Sequence, residues 1–539
     1  MHHLIIQYTF LLAVIMFVVM LARKIRISYP ILLVLTGLVL GFVPWLRGIE
    51  IEPQMIFVIF LPPLLYESAW NTSWKDFWKW RRVIMSFASL IVIVTSCVIA
   101  VVSNCLIPDF TLASGFLLGA IISPPDAVSA TSVLKSVKIP QRLVTMLEGE
   151  SLMNDASSLI VFSFAMKTVT SGTFVFTEAA SSFVLVTVMG IVTGIAVALV
   201  FYAIHRYLPT TPNIDIIITF ITPYAMYLIA DELHFSGVLS VVSGGLFLSV
   251  RRHSFLSHQS RMQGVNVWEA VAFVLNGFVF ILIGLEFPVI IKNLGPDGLK
   301  PAITYSAIIA GVLILTRLAS TFGSLGFTIF IRRFIKTADD SRDWKAPLIL
   351  GWAGMRGVVS LAAALSIPIA FHSGVAFPNR NLILFITFSV ILVTLILQGL
   401  TLPFLIKWVN MKDPDFTVSY EQQMNLVRKK LSLLSLDILD KNYKKEMEEN
   451  DMVKAIKTRI DADMTLLNDW DKQVTRTMVN DYYQDYKLIM EVLIREQRKL
   501  LKTLNKKENI NDDLIRQQLS LLDLEEEKMR QHFIIDGEL

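Results

Sequence analysis

The chain has little charge and almost no cysteine. Of its 539 residues, 17% are Asp, Glu, Lys or Arg, where soluble domains carry about 25%. That shortage excludes an ordinary soluble globule. Two cysteines, Cys97 and Cys105, are too few for a disulfide framework or a thiolate metal site. Both lie on or near one apolar segment and read as small core residues. The eight histidines are scattered, mostly at loops or segment ends, and form no ligand set. No positioned nucleophile stands out, and the charged C-terminal region shows no phosphate loop, dinucleotide fingerprint or catalytic triad. An enzyme is therefore not expected, and neither is a cofactor. No strongly basic patch invites nucleic acid. The apolar start, Met1 to Met20, lacks a basic leader and a small-residue cleavage site, so it reads as a retained span.

What is there is hydrophobic: 54% of the chain, with a mean hydropathy of +0.58. The charge is unevenly placed. Residues 412–539 hold 22 basic and 26 acidic side chains, about half of the total. Two regions follow: a transmembrane domain over 1–411 and a helical cytoplasmic tail over 412–539. In the first, apolar runs of about 20 residues predict thirteen spans. They lie near 4–22, 28–47, 52–70, 83–107, 110–133, 141–168, 176–205, 211–231, 234–250, 266–291, 301–331, 346–371 and 379–409. Loops after odd-numbered spans carry 19 basic residues and those after even-numbered spans carry 5. That bias puts the N-terminus outside and the tail in the cytoplasm. Thirteen spans and a short outer N-terminus fit a bacterial inner (plasma) membrane. Gly190, Gly194 and the Gly244–Gly245 pair read as close helix contacts. In the tail, Leu426, Leu433, Leu434 and Ile438 mark one apolar stripe. Ile489, Leu493 and Leu500 mark another, and such helices pack on one another or on a partner chain.

The sixth span holds Glu148-Gly-Glu-Ser-Leu-Met-Asn-Asp155, with three acids in eight residues. A carboxylate at the bilayer centre costs about 2.5–3.5 kcal/mol even on the lenient insertion scale, so an ion or proton site is expected. Ser151 and Asp155 share a face and offer hard oxygen ligands to a cation. Glu150 and Asn154 form a second stripe, about 100° around the helix. Arg317, inside the eleventh span, is the cation that this stripe needs, because either charge alone would be stranded. A Glu150–Arg317 pair follows, with Asn154 filling the remaining hydrogen bonds. Glu148 reads either as a modulating acid or as a solvated helix start.

The fifth span contains Ile121-Ile-Ser-Pro-Pro-Asp126. Two adjacent prolines remove two donors, so the helix must break near Ser123–Pro125. Broken membrane helices survive against protein or beside a wet cavity, where carbonyls become ligands. Asp126 sits at this break, beside the Pro125 carbonyl. The twelfth span carries Gly351-Trp-Ala-Gly354-Met-Arg356-Gly357, where spaced glycines loosen the helix beside Arg356. The third span carries Phe60-Leu-Pro-Pro-Leu-Leu-Tyr-Glu67, and Glu67 reads as a site or entry-path acid or as a residue near the surface. With the seventh span set aside, the two interrupted spans are each fifth of six. That places an inverted repeat around a midplane site.

These motifs, in order from about residue 60 to 360, resemble the monovalent cation:proton antiporters of the NhaP and NHE sodium/proton type. The Glu-Gly-Glu-Ser-Leu-x-Asn-Asp element is the most specific of them. The resemblance implies a homodimer, each protomer with a moving core domain and a dimerisation domain. It implies that the fifth and twelfth spans cross as unwound helices. It assigns Na+ or its exchanging proton to Asp155, Asp126 and Ser151, and treats Glu150–Arg317 as structural. An Asn-Asp pair, as at 154–155, implies electroneutral exchange. Pro125 stands where family members often carry Thr, so only a backbone carbonyl is offered there. The expected function is Na+ or Li+ for H+ exchange by alternating access. K+/H+ exchange is the alternative, and a cation channel or sensor is a further rival.

Overall fold

The computed structural model describes residues 2–25, 27–46, 53–134, 137, 139–172, 176–331, 343–370, 376–411, 420–471, 476–504, 515, 518–519 and 521–527. Among the described residues every regular element is helical, and the β pairing is one isolated bridge, Ala370 to Ala376. The chain divides into two compact units, Met1–Asp413 and Pro414–Leu539. That boundary lies two residues beyond the one the charge distribution predicts.

Among its described residues the first unit holds sixteen α-helices. They begin with α1 (His2–Ile25), α2 (Tyr29–Leu40), α3 (Pro53–Asn71), α4 (Trp74–Met85) and α5 (Val92–Leu106). Next come α6 (Leu112–Ile122), α7 (Ala127–Leu134), α8 (Gln141–Ser171), α9 (Phe176–Tyr207), α10 (Pro212–Glu232) and α11 (Gly237–Phe255). The last are α12 (His258–Leu294), α13 (Pro296–Ile331), α14 (Lys345–Trp352), α15 (Val358–Leu365) and α16 (Arg380–Val409). A π turn over Ser86–Ile91 joins α4 to α5 without a break.

Eight of these stretches are long and apolar enough to cross a membrane: those of α1, α4–α5, α6–α7, α9, α10, α12, α13 and α16. The other expected spans fall on α2, α3, α8, α11 and the α14–α15 pair. These are shorter, interrupted or more polar. Several helices also outrun the apolar runs that announce them. The expected span 83–107 begins at Trp74 in the structure, and 266–291 becomes His258–Leu294. An apolar run measures the hydrocarbon core, whereas a helix continues through the headgroup region as long as its ends are capped. The hydroxyl oxygens of Ser73 and Ser257 accept from Asp76 N–H (3.4 Å) and Ser260 N–H (3.1 Å) at those two starts.

Two apolar cores organise this unit. One gathers α5–α7 with α12–α16 and includes Leu117, Ile349 and Phe388; the other joins α3 and α8 to α9–α11 around Tyr66, Met226 and Val241. Close approach needs glycine where α9 crosses α11. A Cβ on Gly190 would lie 2.9 Å from the Ser236 carbonyl, and one on Gly244 would lie 2.8 Å from the Gly194 carbonyl. Cys97 is half-buried on α5, and Cys105 is exposed rather than in the core.

In the second unit, α17 (Tyr420–Asn442), α18 (Lys444–Glu449), α19 (Asp451–Asp471) and α20 (Arg476–Leu504) are described. Lys457 of α19 reaches Asp440 of α17 at 2.8 Å, and that hydrogen bond raises the Lys457 pKa. The stripe of Leu426, Leu433, Leu434 and Ile438 is exposed, as are Ile489, Leu493 and Leu500. Amphipathic spacing thus makes helices here, but these side chains are left uncovered.

Candidate functional site

Two helix interruptions build the site. Helix α6 stops at Ile122 because Pro124 and Pro125 have no N–H to donate, and α7 starts at Ala127. Helix α14 stops at Trp352, and α15 starts at Val358. The interruptions touch: Asp126 N–H donates to the Met355 carbonyl at 2.7 Å. A Cβ on Gly357 would overlap the Asp126 carboxylate, so this approach requires glycine.

Both ends of the α6–α7 break are capped by charge of the correct sign. Arg356 is fully buried, and its guanidinium donates to the carbonyls of Ile122 (2.8 Å) and Ser123 (3.2 Å), and also to that of Gly354. It thereby neutralises the negative end of α6. Asp126 caps the positive end of α7. Its Oδ1 accepts from Val128 N–H at 3.0 Å; its Oδ2 accepts from the Ser129 hydroxyl at 2.6 Å and from Ser129 N–H at 3.4 Å. The Ser151 hydroxyl oxygen accepts from Ala127 N–H at 3.1 Å, which ties α8 to the same turn.

Helix α8 carries two acids that are treated differently. Arg317 grips Glu150 with two parallel bonds, Nη1 to Oε1 at 2.9 Å and Nη2 to Oε2 at 3.0 Å. Both side chains are 1% exposed. Arg317 Nη2 also donates to the Leu350 carbonyl at 3.2 Å. Asn154 does not complete this pair, contrary to the sequence expectation. Its amide donates to the Pro125 carbonyl at 3.2 Å. The broken chain between α6 and α7 turns that carbonyl toward α8, and Asn154 takes it. Asp155, one helical position further on, has no hydrogen-bond partner for its carboxylate among the described residues, although it is 8% exposed.

The Asp155 carboxylate lines a cavity of about 60 Å³, room for a few waters or a partly hydrated ion. Leu64 and Ser68 of α3, Pro125, Asp126, Ser151, Asn276 of α12 and Ser360 of α15 share its wall. The structure therefore brings Asp155, Asp126, Ser151 and Pro125 together around one space. It leaves out two acids. Glu67 is half-buried on α3, accepts from Asn71 Nδ2 at 2.7 Å and is not on the cavity wall. Glu148 is half-buried on α8 and is not on the wall either. Asn276, Ser129 and Ser360 are contributors that sequence reasoning missed. A lone amide inside the apolar run Ala272–Leu285 was the signal available for Asn276. Among the described residues, no three His, Cys, Asp or Glu side chains gather as they would for a bound metal ion.

Comparison with known proteins places the fold. Residues 10–408 match the family model described as "Sodium/hydrogen exchanger, transmembrane". A protein of Mycobacterium bovis named as an uncharacterized Na(+)/H(+) exchanger is 30% identical over 94% of this chain and 92% of its own length. The Na(+)/H(+) antiporter ApNhaP of Aphanothece halophytica is 33% identical over 70% of this chain and 68% of its own. The sodium, potassium, lithium and rubidium/H(+) antiporter of Bacillus subtilis is 32% identical over 70% of this chain and 58% of its own. The solved structure of the sodium proton antiporter MjNhaP1 from Methanocaldococcus jannaschii at pH 8 superposes with a TM-score of 0.58. It covers 73% of this chain and 97% of its own, at 19% identity, which is a likeness of fold.

Proposed function

The chain belongs to the transmembrane sodium/hydrogen exchanger family, whose members are secondary transporters and not enzymes, and from that premise we propose that it exchanges Na+ or Li+ for H+ at Asp155. The observation that carries this reading is the contrast within α8. Glu150 is neutralised by Arg317, while Asp155 is buried, lines a cavity and has no protein partner among the described residues. A buried carboxylate without a counter-charge binds either a cation or a proton, so the two compete. Asp126, Ser151 and the Pro125 carbonyl border the same space. Their hydrogen bonds make them the frame of the site, with Asp126 adding negative charge. Arg356 modulates the site through the α6 end. Glu67 belongs to its approach, and Glu148 has a modulating role.

Counting charge supports electroneutral exchange. Asp126, Glu150 and Asp155 carry three negative charges, and Arg317 and Arg356 carry two positive ones. The buried group is neutral with one monovalent cation or one proton on Asp155, and is off balance otherwise. With Asn at 154, the other acid on the cavity wall is Asp126, whose carboxylate is already engaged as a helix cap.

Transport then follows by alternating access, driven by the existing gradient and serving pH homeostasis. The proposed frame has thirteen spans in two inverted repeats, with the interrupted fifth and twelfth spans crossing at the midplane. The placement is a homodimer in a bacterial inner membrane, N-terminus outside and tail inside. The exposed stripes of α17 and α20 suit packing of the tail on itself or on the partner tail. Potassium remains a second reading because the Bacillus subtilis relative is named for it. The test is dissipation of a pH gradient in everted vesicles by Na+, Li+ and K+ in turn. A response to Na+ and Li+ is expected. Conductance without proton counterflow would contradict exchange and indicate a channel.

A further inference from the structure

The cavity beside Asp155 has too few free ligands of the obvious kind. The Asp126 carboxylate already accepts three hydrogen bonds, and the Ser151 hydroxyl oxygen already accepts one. A dehydrated monovalent cation needs several oxygens, and one carboxylate supplies at most two. Two other wall residues have oxygens to spare. Asn276, 7% exposed, and Ser360, 1% exposed, each carry a buried side-chain oxygen with no hydrogen-bond partner among the described residues. Such orphaned groups are rare, and a water or an ion is their usual partner. Ser360 is on a helix, where a serine normally bonds back to a carbonyl in the preceding turn; it does not do so here. Tyr66, Thr387 and Gln398 also carry orphaned atoms, but none of them is on the cavity wall. Being orphaned and sharing a wall with Asp155 is the combination that distinguishes Asn276 and Ser360.

We propose that Asn276 Oδ1 from α12 and Ser360 Oγ from α15 are neutral ligands that, together with Asp155, complete the coordination shell of the transported cation. This rests on the exchange-site reading above and extends it to two helices that the acidic motifs do not touch. The carboxylate supplies charge, and the amide and hydroxyl supply the oxygens that replace hydration. A proton on Asp155 needs neither of them. The two residues therefore act on cation affinity and not on the protonated half of the cycle.

The test uses the full-length protein in proteoliposomes, with NaCl and then KCl as the probe. Asn276→Leu and Ser360→Ala should each raise the apparent KM for the cation about ten-fold, by loss of one ion–dipole contact, with a smaller fall in the maximal rate. Ser360→Thr keeps the hydroxyl and should restore the KM. Stability provides a readout that a purely structural role would move the other way. Removing an orphaned polar group should leave the cation-free Tm unchanged or higher, while the rise in Tm on adding NaCl shrinks. A KM within two-fold of the parent in both variants would overturn the proposal. So would a lower cation-free Tm with the NaCl response intact. Asp155→Asn, measured in parallel, separates the two claims. If it still exchanges, the site itself is wrong and the proposal falls with it. If it is inactive while the other two variants keep the parent KM, only the ligand proposal fails.

Discussion

Glu150 and Asp155 lie five residues apart on α8, about 140° around the helix, and both are buried, yet only Glu150 meets a guanidinium. Around Glu150 the chain is closed: a bidentate Arg317, the Leu350 carbonyl and a glycine at 354 whose missing Cβ makes room for Arg317. Around Asp155 it is open: a cavity, a capped helix start and two orphaned oxygens. The closed side holds two helices together. The open side leaves one negative charge for whatever ion or proton comes. The same kind of side chain serves as a brace or as an exchange group according to whether the protein supplies its counter-charge.

The difference can be broken from either side. The largest effect is expected from Asp155→Asn, which should reduce cation-dependent proton flux in everted vesicles at least 100-fold without changing yield or gel-filtration profile. On the closed side, Arg317→Ala strands Glu150 and should cost about 3–5 kcal/mol, read as a much lower Tm in detergent. Glu150→Gln combined with Arg317→Gln should recover part of that loss, since no lone charge remains. Gly357→Ala forces a methyl group into the Asp126 carboxylate and should cost about 1–3 kcal/mol by overpacking. Flux should fall with it, because the α7 cap must shift. The smallest effect belongs to the tail. Lys457→Ala removes an exposed ion pair with Asp440 and should leave Tm and flux unchanged.

Much of the contrast was legible in the sequence, for a simple reason. Charge inside an apolar span must be answered, so Glu150 needs a cation and Arg317 is the acid's natural partner. A double proline before Asp126 also announces a break. But Pro62 and Pro63 look the same and lie within the continuous helix α3. What differs at Ser123–Pro125 is a guanidinium from the break between α14 and α15, distant in sequence, that takes the freed carbonyls of Ile122 and Ser123. Arg356 could be seen as a positive charge but not as a helix cap. Likewise, Asn154 could be placed on the Glu150 stripe, but its bond to the Pro125 carbonyl depends on how the broken chain turns. Asn276 and Ser360 were hidden for another reason. Neutral polar residues are common in spans, and only their lack of partners beside Asp155 sets these two apart.

The central claim is that one open carboxylate exchanges one cation for one proton. It is tested most directly by adding NaCl to purified protein in weakly buffered detergent and measuring proton release. The account predicts about one proton released per protomer, and none from Asp155→Asn. Equal release from that variant would contradict it.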